Sequence, residues 1–322
     1  MTQREFAKMI NVSQATVSMA LNDSPEISLK MRRHIQEMAH KVGYRPNLAG
    51  QLLRKGRTNL IAVLLPSIQY GFYAELLEQI YIYAQKCGYI IFWECCDNEE
   101  TFAYAVKTIK QYNVAGIIAS ARLEWVENYV KNATPTILIN SEHGEDFPAW
   151  LANVCPNMYS CGRQVAEYLI EKGRKKLVFA GYGILTEDRF RGICDVCNEK
   201  GIPAPEILDD QENSAKTGYE AAGDLLKKYP DCDALIAHND NVAIGILRRF
   251  YEEKISVPER IAVVGFDNIT AGSFTAPALT SIGAGFDIFA KTVIDELLKI
   301  ISGSRSKRKI RLECKLNIRE SI

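Results

Sequence analysis

No run of 18 apolar residues occurs anywhere in this 322-residue sequence, so no segment is suited to cross a bilayer as a helix. The chain also lacks an apolar leader. Charged, helix-patterned residues follow Met1 almost at once, which predicts a cytoplasmic protein. Catalytic and nucleotide signatures are missing too. There is no P-loop, no G-x-S-x-G and no G-x-G-x-x-G, because Gly181-Tyr182-Gly183 is not followed by the third glycine. The four histidines, His34, His40, His143 and His238, share no metal-binding spacing. Nine cysteines are scattered along the chain. Cys194 and Cys197 form a C-x-x-C with no second pair, and Cys95–Cys96 is merely vicinal, so reduced, structural thiols are expected. These absences predict no metal, no cofactor and no catalysis.

The balance of charge is also informative. Net charge is zero overall, yet residues 1–57 hold ten bases and four acids, a local charge of +6 against −6 for the remainder. A positive arm on a negative body is expected where one end of a protein meets phosphates; a solvated basic bundle is the alternative. Glu5 to Asn22 reads as two short helices meeting at a turn. Phe6, Ala7, Ile10, Val12, Val17, Ala20 and Leu21 can share one small core, and Ser13 is placed to cap the second helix. Gln14, Ala15, Ser18 and Met19 then face away from that core. A third helix is predicted from near Ser28 to Gly43, burying Ile35, Met38, Ala39 and Val42. Such a helix-turn-helix presents its second helix to the DNA major groove.

Beyond Asn59 the pattern changes to short apolar runs alternating with amphipathic helices. Strands are predicted at 60–66, 89–95, 114–120, 135–140, 176–182, 234–239 and 260–267. Helices are predicted near 72–87, 99–112, 122–132, 158–172, 187–200, 214–229, 240–254 and 287–302. Continuous apolar runs suggest strands covered on both faces, and repeated βα units imply doubly wound parallel sheets. At 47% hydrophobic residues the chain can bury large cores but is long for one, so a small head plus a two-lobed body is expected.

The segment VSQATVSMALN, with ISLKMRRHIQEMAHKVGYRPNLAGQLLRKGRTNLIAVLLP after it, resembles the head of the lactose-repressor (LacI/GalR) family of bacterial transcription regulators. The likeness continues through IAHNDNVAIGIL, IAVVGFDNI, PALTSI and the closing IRES, in the family's order. It implies an all-α helix-turn-helix head (1–46), a hinge connector (47–58) and a periplasmic-binding-protein-like α/β body (59–322). Lobe one is expected at about 59–157 and 287–303, and lobe two at about 158–286 and 304–322. It also implies a homodimeric repressor with two partners, a pseudo-palindromic operator in double-stranded DNA and a small effector, here a sugar, with no membrane partner.

The resemblance carries over residue by residue. Gln14, Ala15 and Met19 stand where the family touches bases. Gln14 suits paired hydrogen bonds to adenine, whereas Ala15 and Met19 offer apolar contact only; Met19 departs from the Arg or His often found there and can instead pack on helix three. Thr16, Ser18, Asn22, Asn47 and Arg54 are expected at the DNA, with capping or solvation the alternative for the first three. Leu53 occupies the place of the family's minor-groove wedge, or else packs on the body. Effector contact is implied for Phe72, Tyr73, Asn157, Arg189, Asn213, Asn239, Asp267 and Phe286, several of them at the carboxyl ends of strands. Asp267 and Asn239 can alternatively be caps, Arg189 can pair with Glu187 or Asp188, and the aromatics can be ordinary core. Two rival classes, an exported solute-binding protein and an α/β enzyme, share the body architecture.

Overall fold

A computed structural model describes residues 1–21, 23–44, 58–130, 134–139, 147–181, 188–208, 214–304 and 309–322. The chain forms two compact units, residues 1–59 and 60–322.

The first unit holds three helices, α1 (Gln3–Met9), α2 (Gln14–Leu21) and α3 (Leu29–Lys41). Thr2 and Glu5 close a capping box over α1, and Ser28 caps α3 by accepting the Met31 N–H. Phe6, Ala7, Val17, Ala20, Ile35 and Ala39 form the core, with Met38 packed partly against it. One expectation is corrected. Val42 is exposed at the C-cap of α3, and the buried residue is Tyr44, whose ring stacks on Phe6 at 4.5 Å between centroids. The chain leaves α3 through Gly43 at φ +64°, a conformation that glycine adopts cheaply, and this swings residue 44 inward while 42 stays out. Phe6→Ala is expected to cost about 3–5 kcal/mol of the head's stability. Urea unfolding followed by circular dichroism checks it, with the transition of the larger unit unmoved.

The second unit contains two six-stranded sheets. Their strands are β1 (Leu60–Leu65), β2 (Ile90–Cys95), β3 (Gly116–Ala119), β4 (Thr136–Ile139), β5 (Leu151–Pro156), β6 (Leu177–Ala180), β7 (Glu206–Leu208), β8 (Ala234–Ala237), β9 (Ala262–Phe266), β10 (Thr280–Gly283), β11 (Lys309–Leu312) and β12 (Lys315–Asn317). The orders are β11-β5-β4-β3-β1-β2 and β12-β10-β9-β8-β6-β7. Every pairing is parallel except β10 with β12. Helices α4 (Gly71–Lys86) and α11 (Phe286–Ile301) cover one face of the first sheet, and α5 (Glu99–Gln111) and α6 (Leu123–Tyr129) the other. On the second sheet α7 (Met158–Glu171) and α8 (Asp188–Glu199) lie opposite α9 (Ala215–Lys228) and α10 (Asp240–Glu252). The strand period of two is visible in β6: Leu177 and Phe179 enter one core, Val178 and Ala180 the other.

The chain passes between the lobes three times, at 156–158, 283–286 and 312–315. The last crossing corrects the boundary expected at 304. Residues Lys309–Leu312 pair with β5 in the first sheet, so the second lobe regains the chain only after Leu312. A second correction concerns β2. Its apolar run is an edge strand with Ile90 and Trp93 exposed, not a doubly covered one.

Candidate functional site

In the head, Ser13 does cap α2: its Oγ accepts the Thr16 N–H at 3.0 Å, and the Thr16 hydroxyl lies 2.8 Å from it. Thr16 is therefore engaged in the cap. Gln14 and Ala15 are exposed, while Ser18 and Met19 are half-buried. Gln14 Nε2 donates to Gln3 Oε1 across to α1 at 3.4 Å. Met19 is not among the side chains of the head core. The angle between α2 and α3 is held by Gln36, whose Nε2 donates to the Ala20 carbonyl (3.0 Å) and to Asp23 Oδ1 (2.9 Å), and by Arg32, which donates to the Ser24 carbonyl. Asn22, Asn47, Leu53 and Arg54 lie outside the described residues.

In the larger unit a narrow cavity, partly open to solvent, lies where the three crossings converge. Phe72 and Phe286 wall it from the first lobe, Met158, Cys161 and Asp267 from the second, and Pro156, Gly283–Gly285 and Cys314 from the crossings. Phe72 is the hub of the aromatic wall, with ring centroids 5.2 Å from Tyr73, 5.6 Å from Phe286 and 6.1 Å from Phe289. The Tyr73 hydroxyl sits 2.8 Å from Ser120 Oγ.

Among the described residues, Asp267 is the one acidic group on this wall. It follows β9 at φ +98°, with Asn268 at +55°, both in a region that costs an ordinary residue energy and that clusters at functional sites. Burial pushes its carboxyl up to about 6, against the downward pull of the Arg189 guanidinium. Arg189 is itself buried, donates through Nη1 to the His238 carbonyl and lies over the Phe266 ring at 5.0 Å. The close approach of α7 and α8 fixes its backbone. A Cβ at Gly162 would run into the Arg189 carbonyl, and one at Gly192 into that of Tyr159. Burial, with Arg189 adding to it, pushes the neighbouring His238 imidazole well below its usual range.

A polar network behind Asp267 fixes its loop. Asp240, fully buried at the start of α10, accepts the Ile269 N–H (2.8 Å) and the Ser281 hydroxyl (2.6 Å). Ser281 Oγ in turn accepts the Asn268 N–H at 3.0 Å, and Arg319 donates to Asn268 Oδ1 at 2.7 Å. Two residues further on, Thr270 reaches the other lobe. Its N–H and hydroxyl donate to the two carboxylate oxygens of Glu75 on α4, each at 2.7 Å, and Ile269 is buried in the first lobe's core.

Comparison with known proteins identifies this arrangement. The sequence profile of the bacterial regulatory proteins of the lacI family matches residues 2–47, and that of the periplasmic binding protein-like domain matches residues 166–322. The NTD biosynthesis operon regulator NtdR of Bacillus subtilis is 28% identical over 98% of both chains. The chain belongs to the LacI family. The solved lac repressor dimer bound to operator and the anti-inducer ONPF superimposes with a TM-score of 0.84 at 22% identity, over 100% of this chain and 98% of that one. The regulator CelR in complex with cellobiose gives 0.71 at 21% identity over 100% of both chains. This LacI-family protein is thus a DNA-binding transcription regulator rather than an enzyme. No helix among its described residues is long and apolar enough to cross a membrane.

Of the eight residues implied for effector contact, the cavity brings together Phe72, Asp267 and Phe286. Arg189 stands beside Asp267 electrostatically. The expected alternative of a surface pair is corrected: Asp188 pairs with Arg191 instead, and Arg189 is buried. Asn239 and Asn157 are helix caps, accepting the N–H groups of Val242 (2.9 Å) and Ser160 (3.3 Å), and Tyr73 packs beside Phe72 without lining the cavity. Asn213 lies outside the described residues. Sequence reasoning missed Glu75, Asp240, Ser281, Arg319 and the thiols of the cavity wall. A buried acid directly after the capping Asn239, in Asn239-Asp240, was the available signal for one of them. Glu75→Ala removes both of the acceptors that Thr270 uses, so it is expected to loosen the lobe-to-lobe clasp. Faster amide exchange at Ile269 and Thr270 checks it.

Proposed function

We propose that this LacI-family regulator is a homodimeric repressor whose affinity for a two-fold-symmetric operator is set by a small polyhydroxylated ligand, a sugar, held between the lobes. One observation carries the ligand class: the carboxylate of half-buried Asp267 shares a pocket with the aromatic wall of Phe72 and Phe286. A carboxylate accepts hydrogen bonds from neighbouring hydroxyls, and an aromatic face packs the C–H side of a sugar ring. The cellobiose complex of CelR supports the same class. Gln14, Ala15 and Met19 are the base-reading residues in this proposal, with Ser18 and Thr16 near phosphate and Leu53 as wedge. Exposed Ile90 and Trp93 on edge strand β2 suit a contact between copies. Two heads then read two half-sites. The protein acts in the cytoplasm, where it meets chromosomal DNA.

Coupling between the sites is reciprocal, so operator and effector alter each other's affinity by one factor. The test has two arms. Selection of bound duplexes from a random pool is expected to return a two-fold-symmetric motif, and a panel of sugars is expected to contain one that raises the melting temperature and changes operator affinity. Saturable sugar binding with identical affinity in the presence and absence of the selected duplex would sink the regulatory coupling. Turnover of any sugar would return the enzyme reading.

A further inference from the structure

The cavity wall contains two thiols, and they come from different crossings of the chain. Cys161 lies in the first turn of α7, just after the first crossing; Cys314 lies within the third. Both are buried, both belong to the same packed cluster, and both face the cavity. The backbone is held so that they meet: Gln164, three residues along α7 from Cys161, donates to the Cys314 carbonyl at 3.4 Å. The Asn157 N–H, at the cap of the same helix, donates to the Leu312 carbonyl at 2.9 Å. We propose that Cys161 and Cys314 form a dithiol centre that closes to an intramolecular disulfide when a hydroperoxide enters the cavity.

The two sulfurs are not equivalent. Hydrogen bonding to Cys161 draws the Cys314 thiol below its usual range, while hydrogen bonding to Cys314 and burial push Cys161 up. We assign the attack to Cys314, on the crossing, and the resolution to Cys161, in the helix, and the two variants below test that order. The Cys314 thiolate takes the distal oxygen of the peroxide, the O–O bond breaks, and the departing hydroxide leaves as water with a proton. Cys161 sulfur then attacks the sulfenic sulfur, the S–O bond breaks, and a second water leaves with the Cys161 proton. In sum, two thiols and one hydrogen peroxide give one disulfide and two waters. The bond ties the third crossing to α7, so the lobes lose freedom at that crossing. The chemistry stands independently of the sugar reading.

The experiment treats the reduced full-length protein with hydrogen peroxide, quenches it with iodoacetamide in denaturant and maps the peptides without reduction. The expected product is a Cys161–Cys314 bridge within one chain, with slowed amide exchange at residues 312–314. Exposed Cys87 and Cys95 report that oxidant was present. In C161S the unresolved sulfenic acid on Cys314 is expected to be trapped by dimedone, whereas in C314S no dimedone adduct forms on Cys161. Both variants keep a small polar side chain at the site, and their melting curves show whether each is folded before it is scored. Alkylation of both Cys161 and Cys314 after Cys87 and Cys95 have oxidised overturns the proposal, and so does a bridge from either one to Cys155.

Discussion

Asp267→Asn is expected to make this regulator more stable at pH 7.5 while abolishing its response to ligand. The carboxyl of Asp267 is raised by burial from the ordinary aspartate range to about 6, even with Arg189 pulling it down. A raised acid favours folding while protonated and opposes it once ionised. Below about pH 3.9 the group is protonated in both folded and unfolded chains and contributes no pH dependence. Between there and about pH 6 the folded state binds more protons, so stability falls as pH rises; above about 6 the whole penalty is present. A gap near two units corresponds to at most about 3 kcal/mol. Asparagine cannot ionise and tolerates the positive φ of this position, so it removes the penalty without straining the loop. Melting temperatures of the two proteins measured from pH 4 to 8 are expected to converge at the acid end and to separate through pH 6. Parallel curves across that range would show that ionisation of Asp267 is not the cause. The exchange of stability for a charged group in a cavity is the usual signature of a binding position.

The fold was largely legible because it is written in local periodicity. All seven strands read from apolar runs are present, and the eight body helices fall within a few residues of their expected bounds. Of the five strands that escaped notice, four have only three or four residues, and the fifth, Leu151–Pro156, has Asn153 in its middle and ends on proline. Glu206–Leu208 has three residues, and Lys309–Leu312 and Lys315–Asn317 alternate charge with apolar residues at sheet edges. No periodicity in so few residues separates a strand from a loop. The edge position of β2 was illegible for a different reason: strand order is set by packing, and Ile90 and Trp93 do not announce which neighbour they lack.

The site divided along the same line. Phe72, Asp267 and Phe286 were reached through the resemblance and converge on the cavity. The groups that hold them were not reached, because they come from distant parts of the chain. Glu75 and Thr270 are 195 residues apart, Gln164 and Cys314 are 150 apart, and Asp240 and Ser281 are 41 apart. Pairing at such separations leaves no spacing to recognise in one sequence. Asn239 shows the converse: it was legible both as a cap and as a ligand contact, and the capping bond to Val242 is the part that geometry displays.

The buried acid behind that cap gives the largest expected loss of stability. Asp240→Ala would leave the Ile269 N–H and the Ser281 hydroxyl without their acceptor in a fully buried place. Each orphaned donor costs about 1–3 kcal/mol, so a loss of about 2–6 kcal/mol is expected in urea unfolding. Asp240→Asn separates hydrogen bonding from charge. Its carbonyl can still accept from Ile269 while its amide donates to Ser281 Oγ, and most of the stability is expected to remain. Burial and the nearby Asp267 push the Asp240 carboxyl well above its usual range, which is a further reason for a neutral amide to be tolerated. Ile269 is also the residue that the second lobe buries in the first, next to the Thr270–Glu75 clasp. Asp240→Ala is therefore expected to raise amide exchange at 268–270 more than at the centre of α10, and Asp240→Asn to leave both near wild type. Equal losses for the two variants would instead assign the role of Asp240 to its charge, acting through Arg319, and not to the two donors that it satisfies.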